Sequence, residues 1–127
     1  MIRDQQLHME LISGIAKQMK TILDSSQEAV YIYLDDTHKV CNGKFASLLG
    51  YRSPEEWADV TESFPEAFVD RSSQETLVSA YQQAMDKIMP ANINVTWKKK
   101  TGGTVATSVI LVPVAYEGHL FALHFIS

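Results

Sequence analysis

Residues 91–126 read ANINVTWKKKTGGTVATSVILVPVAYEGHLFALHFI, and this stretch decides the fold. Its first part, residues 91–99, alternates apolar and polar side chains, with Ile93, Val95 and Trp97 on one side. Alternation with a period of two is typical of a strand that has one wet face. Glycine-containing turns, at 101–103 and 117–118, separate this strand from two more, at 104–115 and 119–126. The stretch therefore predicts three consecutive antiparallel strands.

Both faces of this predicted sheet are apolar. In the second strand Ile110 and Val112 share one face, and Val109 and Leu111 share the other. The third strand repeats the pattern, since residues 121, 123 and 125 alternate with 120, 122, 124 and 126 and nearly all are apolar. Exposed apolar area costs roughly 25 cal/mol per Å2, so each face requires a covering layer.

Earlier segments extend the sheet and supply one layer of helices. Residues 29–34 and 39–41 flank a polar turn and predict a hairpin that makes the sheet five-stranded. Asn42 and Ser53, the latter followed by Pro54, are helix-start signals for two short helices. Ser72-Ser73-Gln74-Glu75 resembles a capping box and predicts a longer helix over about 73–87. The expected class is α+β, with the short helices on one face of the sheet.

The N-terminal segment predicts one amphipathic helix over residues 4–23, in a flanking segment 1–24 that precedes a domain at 25–127. Its apolar stripe can cover the second sheet face of its own chain or contact a second subunit, and the sequence leaves both open. If the chain is a homodimer, we expect the interface to include Leu7, Leu11, Ile15, Met19, Ile22, Ile110 and Val112.

Composition excludes several classes of protein. The 127 residues are 46% hydrophobic and 20% charged, which is ordinary for one globular domain and leaves no segment for a membrane span. A net charge of −4 provides no general attraction to nucleic acid, and we interpret the run Lys98-Lys99-Lys100 as a solvated turn flank. A single cysteine, Cys41, fits a reducing cytoplasm, so a cytoplasmic location is expected.

No arrangement of residues predicts catalysis or metal binding. The chain has no P-loop and no nucleophile elbow, and the carboxylate pairs 35–36 and 55–56 are explained by a turn and a helix start. His119 and His124 lie five residues apart on one strand, so they point to opposite faces and cannot share a metal ion. We interpret Cys41 as a half-buried packing residue. The predictions are therefore no enzyme and no metal.

Several motifs occur in an order that resembles the PAS domain family. They are Asn42 with Phe45, the segments 48–51 (LLGY) and 53–56 (SPEE), the basic hairpin 98–102 with Thr101 in place of the usual aspartate, and Pro113 late in its strand. The likeness covers about residues 25–126, and it departs from the family at 68–72, where many members have His-Pro-Asp-Asp. It implies a five-stranded antiparallel sheet in the order 2-1-5-4-3 and a sensory domain of the kind found in two-component systems.

The resemblance also bears on cofactors. Histidine-ligated haem in the family commonly uses the long helix, and residues 73–87 contain no histidine. Light-sensing members carry a reactive cysteine in an Asn-Cys-Arg-Phe type of motif, whereas Cys41 precedes Asn42 here. Haem and a photoactive flavin are therefore not expected, and the cofactor remains unknown.

A small-molecule pocket between helices and sheet is the expected functional site, and the alternative is that the same side chains simply fill the core. The candidate pocket residues are Phe45, Trp57, Phe64, Phe68, Leu77, Tyr81, Met85, Ile93, Val95 and Trp97.

The overall prediction is a sensory and signal-transduction domain that binds a small organic ligand or a partner protein, dimerises and relays change through its flanking helix. One alternative is a ligand-free interaction and dimerisation module. A second is a small cone-shaped isomerase-like enzyme, which would require an acid or base, such as Asp70, Asp86 or a histidine, inside the pocket. Ligand, signal, output partner, and whether the chain stands alone or belongs to a longer signalling protein, are open at this stage.

Overall fold

The fold is an antiparallel sheet with helices on both faces. A computed structural model describes the backbone of residues 2–127 and the side chains from residue 6 onward; residue 1 of the predicted segment 1–24 lies outside the described residues. None of the helices within residues 2–127 combines the length and apolar content that crossing a bilayer requires. The elements in chain order are α1 (Ile2–Gln18), α2 (Lys20–Ser25), β1 (Ala29–Asp35), β2 (His38–Cys41), α3 (Gly43–Leu48), α4 (Pro54–Ala58), α5 (Phe64–Phe68), α6 (Arg71–Lys87), β3 (Ala91–Lys98), β4 (Thr104–Tyr116) and β5 (His119–Ile126).

The five strands form one sheet in the order β2-β1-β5-β4-β3, which confirms the α+β class and the predicted order. Every neighbouring pair is antiparallel. The β3–β4 turn uses Gly102 and Gly103 at positive φ, and the β4–β5 turn uses Glu117 and Gly118 at φ 51° and 76°. In the two-residue β4–β5 loop, two successive residues in this left-handed region match the twist of the flanking strands. The β3–β4 loop is longer, at residues 99–103.

Polar caps set the starts of the short helices as predicted. The Asn42 side chain accepts a hydrogen bond from the Phe45 backbone N–H, and it also accepts from Val30 N–H and donates to the Glu28 carbonyl. It therefore joins the start of α3 to β1. Ser53 accepts from the Glu56 N–H at the start of α4.

Two helix boundaries differ from the prediction. The N-terminal segment is two helices rather than one, because the chain leaves helical geometry at Met19. Helix α6 is capped by Asp70, which accepts from the Ser72 N–H, and so it begins earlier than the capping box indicated. The hydroxyl of Ser73 instead accepts from the Thr96 N–H and holds α6 against β3. The Ser73 side chain thus serves a contact with β3, and Asp70 takes the capping role that the local sequence pattern assigned to the serine segment.

The basic hairpin is more than a solvated turn flank. The Lys100 N–H donates to the Leu49 carbonyl over 2.7 Å, and the Lys100 ammonium lies 3.1 Å from the Glu56 carboxylate. Lys98 donates to the carbonyl of Glu66. The hairpin is therefore bonded to the C-terminal end of α3, to α4 and to α5.

The two faces of the sheet carry separate hydrophobic cores. The face that receives α3–α6, here called the cup face, packs β1, β3, β4 and β5 against those helices. The opposite face, here called the outer face, packs Val30, Ile32, Phe121 and Leu123 under α1 and α2 of the same chain. The predicted N-terminal helix thus covers its own sheet.

Candidate functional site

The cup is occupied mainly by aromatic side chains. Tyr31 stacks on Phe45 with ring centroids 4.8 Å apart and lies edge-on to Trp97 at 5.8 Å. Trp57 and Trp97 are completely buried, and the Trp97 indole N–H donates to the Thr107 hydroxyl over 2.8 Å. Such edge and stacked contacts add to the energy of area burial, so this part of the cup is a closed core.

The predicted pocket residues separate into three groups. Five of them are fully buried in this closed core: Phe45, Trp57, Phe68, Val95 and Trp97. Phe64, Leu77 and Tyr81 line a cavity, whereas Met85 packs against the small cluster of Ala84, Leu111 and Ala122, and Ile93 lines an open groove between α6 and β3. Half of the predicted pocket residues therefore fill the core, and three of them line a cavity.

The cavity lies between α5, α6, β1 and β5 and has a volume of about 250 Å3. Helix α6 supplies one wall, strands β1 and β5 supply the opposite wall, and the loop before α5 closes one end. Its lining residues are Tyr31, Tyr33, Asp36, Ser63, Phe64, Pro65, Leu77, Val78, Tyr81, Gln82 and His124.

Tyr31 and His124 form the floor of the cavity. They are register partners on β1 and β5, and their rings stack with centroids 3.9 Å apart and planes 9° from parallel. Burial lowers the pKa of His124 to about 3, so this imidazole is neutral at physiological pH. Its Nδ1 lies 3.2 Å from the Ala122 carbonyl, and because a carbonyl only accepts, Nδ1 carries the proton. Burial also raises the pKa of Tyr31, which keeps its phenol protonated.

Asp36 organises the mouth of the cavity. One carboxylate oxygen accepts from the Tyr33 hydroxyl over 2.8 Å and from the Phe64 N–H, at the start of α5, over 3.0 Å. Tyr81 lies edge-on to Tyr33 at 5.5 Å, and burial, followed by the nearby carboxylates of Asp35 and Asp36, raises the Tyr81 pKa. The mouth therefore presents a carboxylate and protonated phenols.

Sequence reasoning missed the polar half of this lining: Tyr31, Tyr33, Asp36 and His124. Strand alternation already placed Tyr31 and Tyr33 on one side of β1, and His124 on the side of β5 that holds Ala122 and Ile126. Because β1 and β5 are neighbours in the order 2-1-5-4-3, combining the two patterns would have brought these rings together. Asp36 carried no such signal, since its partner Phe64 is 28 residues away.

The residues predicted for a dimer interface differ in how exposed they are. Leu11 and Ile15 lie on α1 and are buried against the sheet of their own chain, at 4% and 1% exposure. Met19 and Val112 are half-buried in the same outer core. Leu7, Ile22 and Ile110 remain exposed, so they are the members of the set that a second subunit can reach.

Cys41 is buried at 6% exposure, deeper than the half-buried position predicted. Burial raises the pKa of its thiol to about 12. Since the thiolate is the reactive form, Cys41 acts as a packing residue.

At the edge of the outer face the structure brings together three potential metal ligands that the sequence did not suggest. They are His8 on α1, Asp35 at the end of β1 and His38 at the start of β2. His8 and Asp35 are 27 residues apart in the sequence, so no local sequence pattern predicts the cluster.

Several of the solved structures that match this chain are PAS domains. One from Colwellia psychrerythraea has a TM-score of 0.69 and 18% identity, and the match covers 89% of this chain and 95% of that one. A PAS domain from a two-component sensor histidine kinase has a TM-score of 0.66 and 11% identity, covering 91% and 97%. The PAS domain of nitrogen regulation protein NR(II) from Vibrio parahaemolyticus has a TM-score of 0.61 and 18% identity, covering 84% and 94%.

Neither a family model nor a curated protein matches the sequence. At these identities the solved structures establish the fold. Together with the sheet order and the cup of short helices, they show that this chain has the PAS domain fold.

Proposed function

We propose that this chain is a sensory module, not an enzyme, that binds a small polar organic molecule in the cavity between α6 and strands β1 and β5. The observation that carries the proposal is the convergence of Tyr31, Asp36, Tyr81 and His124 on one cavity in an otherwise closed cup. Ligand sites typically combine an apolar lining with a few convergent polar groups. The PAS domains of a sensor histidine kinase and of a nitrogen regulation protein, which share the fold, support a signalling role.

The lining defines the chemistry of the ligand. A volume of about 250 Å3 lies below the roughly 300–1,000 Å3 of pockets for drug-sized molecules, so the ligand has few heavy atoms. The Asp36 carboxylate accepts hydrogen bonds, which favours a hydroxyl or amine donor. The flat faces of Tyr31 and His124 favour a planar or apolar part at the floor.

Strand β1 provides the proposed relay. It presents Tyr31 and Tyr33 to the cavity and, from intervening positions, Val30 and Ile32 to the core beneath α1 and α2. A ligand that shifts the cavity wall therefore acts on side chains whose backbone neighbours support the N-terminal helices. The proposed output is a change in the angle or docking of α1.

Native mass spectrometry of the purified chain, beside a denatured run, tests ligand binding. We expect extra mass that disappears on denaturation. Val78 lines the cavity on α6, so Val78→Trp should fill it and remove the extra mass. Asp86→Trp is the matched control, because Asp86 is exposed on the same helix and lies outside the cavity lining. Loss of the mass in both variants, or in neither, contradicts the site.

The ligand-free interaction module is the second candidate, and the aromatic filling of most of the cup favours it. It predicts no extra mass in the native spectrum and no change in melting temperature across a broad panel of small metabolites. A ligand-dependent rise in melting temperature that Val78→Trp abolishes would count against it.

The isomerase-like enzyme has two groups in its favour, since His124 and Asp36 both line the cavity. One Asp36 oxygen, however, already accepts hydrogen bonds from the Tyr33 hydroxyl and the Phe64 N–H. Asp70 caps α6 and Asp86 is exposed. A general base works best with a pKa near the operating pH, and His124 has a pKa of about 3. The chemistry of the site therefore supports binding over proton transfer.

The proposal includes a homodimer through Leu7, Ile22 and Ile110, the exposed members of the predicted interface. Sedimentation velocity should show a dimer whose dissociation constant rises when Leu7 or Ile110 becomes glutamate. Ser79→Glu is the control, because Ser79 is exposed on α6, on the opposite side of the sheet. A wild-type monomer at high concentration contradicts the dimer. The predicted cytoplasmic location is retained as part of this proposal.

A further inference from the structure

A cluster of two histidines and one aspartate joins α1 to the β1–β2 turn. His8 Nδ1 lies 2.8 Å from one oxygen of the Asp35 carboxylate, and His38 Nδ1 lies 2.7 Å from the other. The two imidazole rings are edge-to-face with centroids 5.4 Å apart. One donor atom from each of the three side chains lies within 4.8 Å of the other two.

The surrounding structure holds the three ligands in place. Asp35 and His38 are register partners across the hairpin, and Asp35 also accepts hydrogen bonds from the Thr37 backbone and hydroxyl, over 3.1 and 3.0 Å. His8 lies one turn before the buried Leu11, so the packing of α1 on the sheet brings it over the hairpin turn. The arrangement is thus fixed by the same contacts that dock the helix.

From this geometry we propose that His8, Asp35 and His38 bind one divalent transition-metal ion, with Zn2+ as the reference ion. Two imidazole nitrogens and one carboxylate oxygen are a donor set that zinc accepts, with water as the fourth ligand. Bonds of about 2.0–2.1 Å place neighbouring ligand atoms about 3.3 Å apart, which the cluster reaches with small side-chain movements. Imidazole donors disfavour Mg2+ and Ca2+, which prefer oxygen.

The three side chains are already close together, and solvent reaches two of them. The side chains of His8 and Asp35 are each 36% exposed, whereas that of His38 is 9% exposed. An ion can therefore enter from the His8 side and find one ligand already buried. Without an ion the same atoms hydrogen-bond to one another, so the metal-free chain keeps the cluster together.

Metal binding at this site would fasten α1 to the hairpin, since only His8 comes from the helix. This inference goes beyond the ligand-binding function and does not rest on the cavity. The two sites use different side chains, although Asp35 of the cluster and Asp36 of the cavity are neighbours in the chain.

Isothermal titration with ZnCl2, and visible absorption with CoCl2, test the site in the full chain prepared without a polyhistidine tag. We expect one ion per chain. Substitutions next to metal ligands already cost about 10–100-fold in affinity, so loss of a ligand in His8→Ala or Asp35→Asn should cost at least about 100-fold. His119→Ala is the matched control, because His119 begins β5 at the same end of the sheet as Asp35 but is not one of the three clustered ligands. No uptake by the wild type, or equal affinity in His8→Ala, overturns the proposal.

Hydrogen exchange tests the bridging role separately. Zn2+ should slow amide exchange in α1 of the wild type and raise its melting temperature, and His8→Ala should show neither effect. The cavity variant Val78→Trp should still bind Zn2+ like the wild type, which separates failure of this site from failure of the ligand pocket. If the ion binds while exchange in α1 stays unchanged, the ion does not bridge helix and hairpin.

Discussion

On the cup face, β1 contributes Tyr31 and Tyr33 to a layer of interlocking aromatic rings, whereas on the outer face the same strand contributes Val30 and Ile32 to an aliphatic layer. Four helices, α3 to α6, close the cup. The outer core depends on one helical segment that is interrupted at Met19. We therefore predict that the N-terminal layer opens before the cup does.

Different contacts fasten each layer. The cup is tied by buried polar anchors, including the Asn42 side chain and the Lys39 ammonium, which donates to the carbonyls of Asp36, Ala58 and Val60. The outer layer is tied at its edge by the cluster of His8, Asp35 and His38. In the proposed sensor this asymmetry would serve the relay, because a signal can move only an element whose docking energy is modest.

Trp97→Ala should have the largest effect, because it removes a fully buried ring from the centre of the cup. We expect a loss of about 3–5 kcal/mol in the free energy of unfolding, measured by urea titration followed by circular dichroism. Met89→Ala is the control, because Met89 is 58% exposed, and it should cost less than about 1 kcal/mol. A small cost for Trp97→Ala would contradict the closed-core description of the cup.

Ile15→Ala should cost about 2–4 kcal/mol, because Ile15 on α1 is 1% exposed against the outer face of the sheet, but the loss should be local. Hydrogen exchange should accelerate in α1 and α2 while the amides of β3 and β4 keep their protection. Lys17→Ala, an exposed change on the same helix, is the control. Equal acceleration throughout the sheet would mean that the two layers unfold as one unit.

Acid should destabilise the cup through His124. Its pKa is about 3 in the folded chain and about 6.5 when unfolded, so the unfolded state binds more protons between these values. Stability is then fully present above pH 6.5 and falls by about 1.4 kcal/mol per pH unit below it. Urea unfolding at pH 7.5, 6 and 5 measures this slope. His124→Phe should reduce it, and His119→Gln should leave it unchanged; an equal slope in all three proteins would refute the assignment.

Gly14→Ala should have the smallest effect, because two contributions oppose each other. Alanine gains about 1 kcal/mol in helix propensity, but a Cβ at position 14 would lie 2.3 Å from the Tyr116 hydroxyl oxygen and displace that side chain. Removing the hydroxyl in a Tyr116→Phe background should make Gly14→Ala more favourable, by less than about 1 kcal/mol. A double-mutant cycle from thermal unfolding measures the coupling, and zero coupling would mean that α1 does not lie this close to β4.

Much of the fold could be predicted from the sequence because its signals are local. Alternation assigned both faces of β1, β3 and β5, the glycine turns assigned the hairpins, and Asn42 and Ser53 assigned helix starts. These features depend on residues a few positions apart, where backbone geometry and side-chain periodicity act directly. The strand order came from the resemblance to PAS domains, and the structure confirmed it.

The site could be predicted only in part. Phe64, Leu77 and Tyr81 were recognised as facing the cup, but apolar pattern alone does not distinguish a cavity wall from a filled core, so Phe45 and Trp97 were predicted with them. That distinction depends on how rings from β1, β5 and four helices interlock, which no single segment determines.

The sequence by itself determined an α+β chain with a sheet that is apolar on both faces, helices with defined starts, and a need for a second covering layer. Only the tertiary structure decided that α1 covers its own sheet, that Asp36 closes the mouth of the cavity, and that His8 meets Asp35 and His38. The physical reason is range: periodicity, capping and turn chemistry act between neighbours in the chain, whereas a cavity and a ligand cluster arise where residues far apart in sequence pack together.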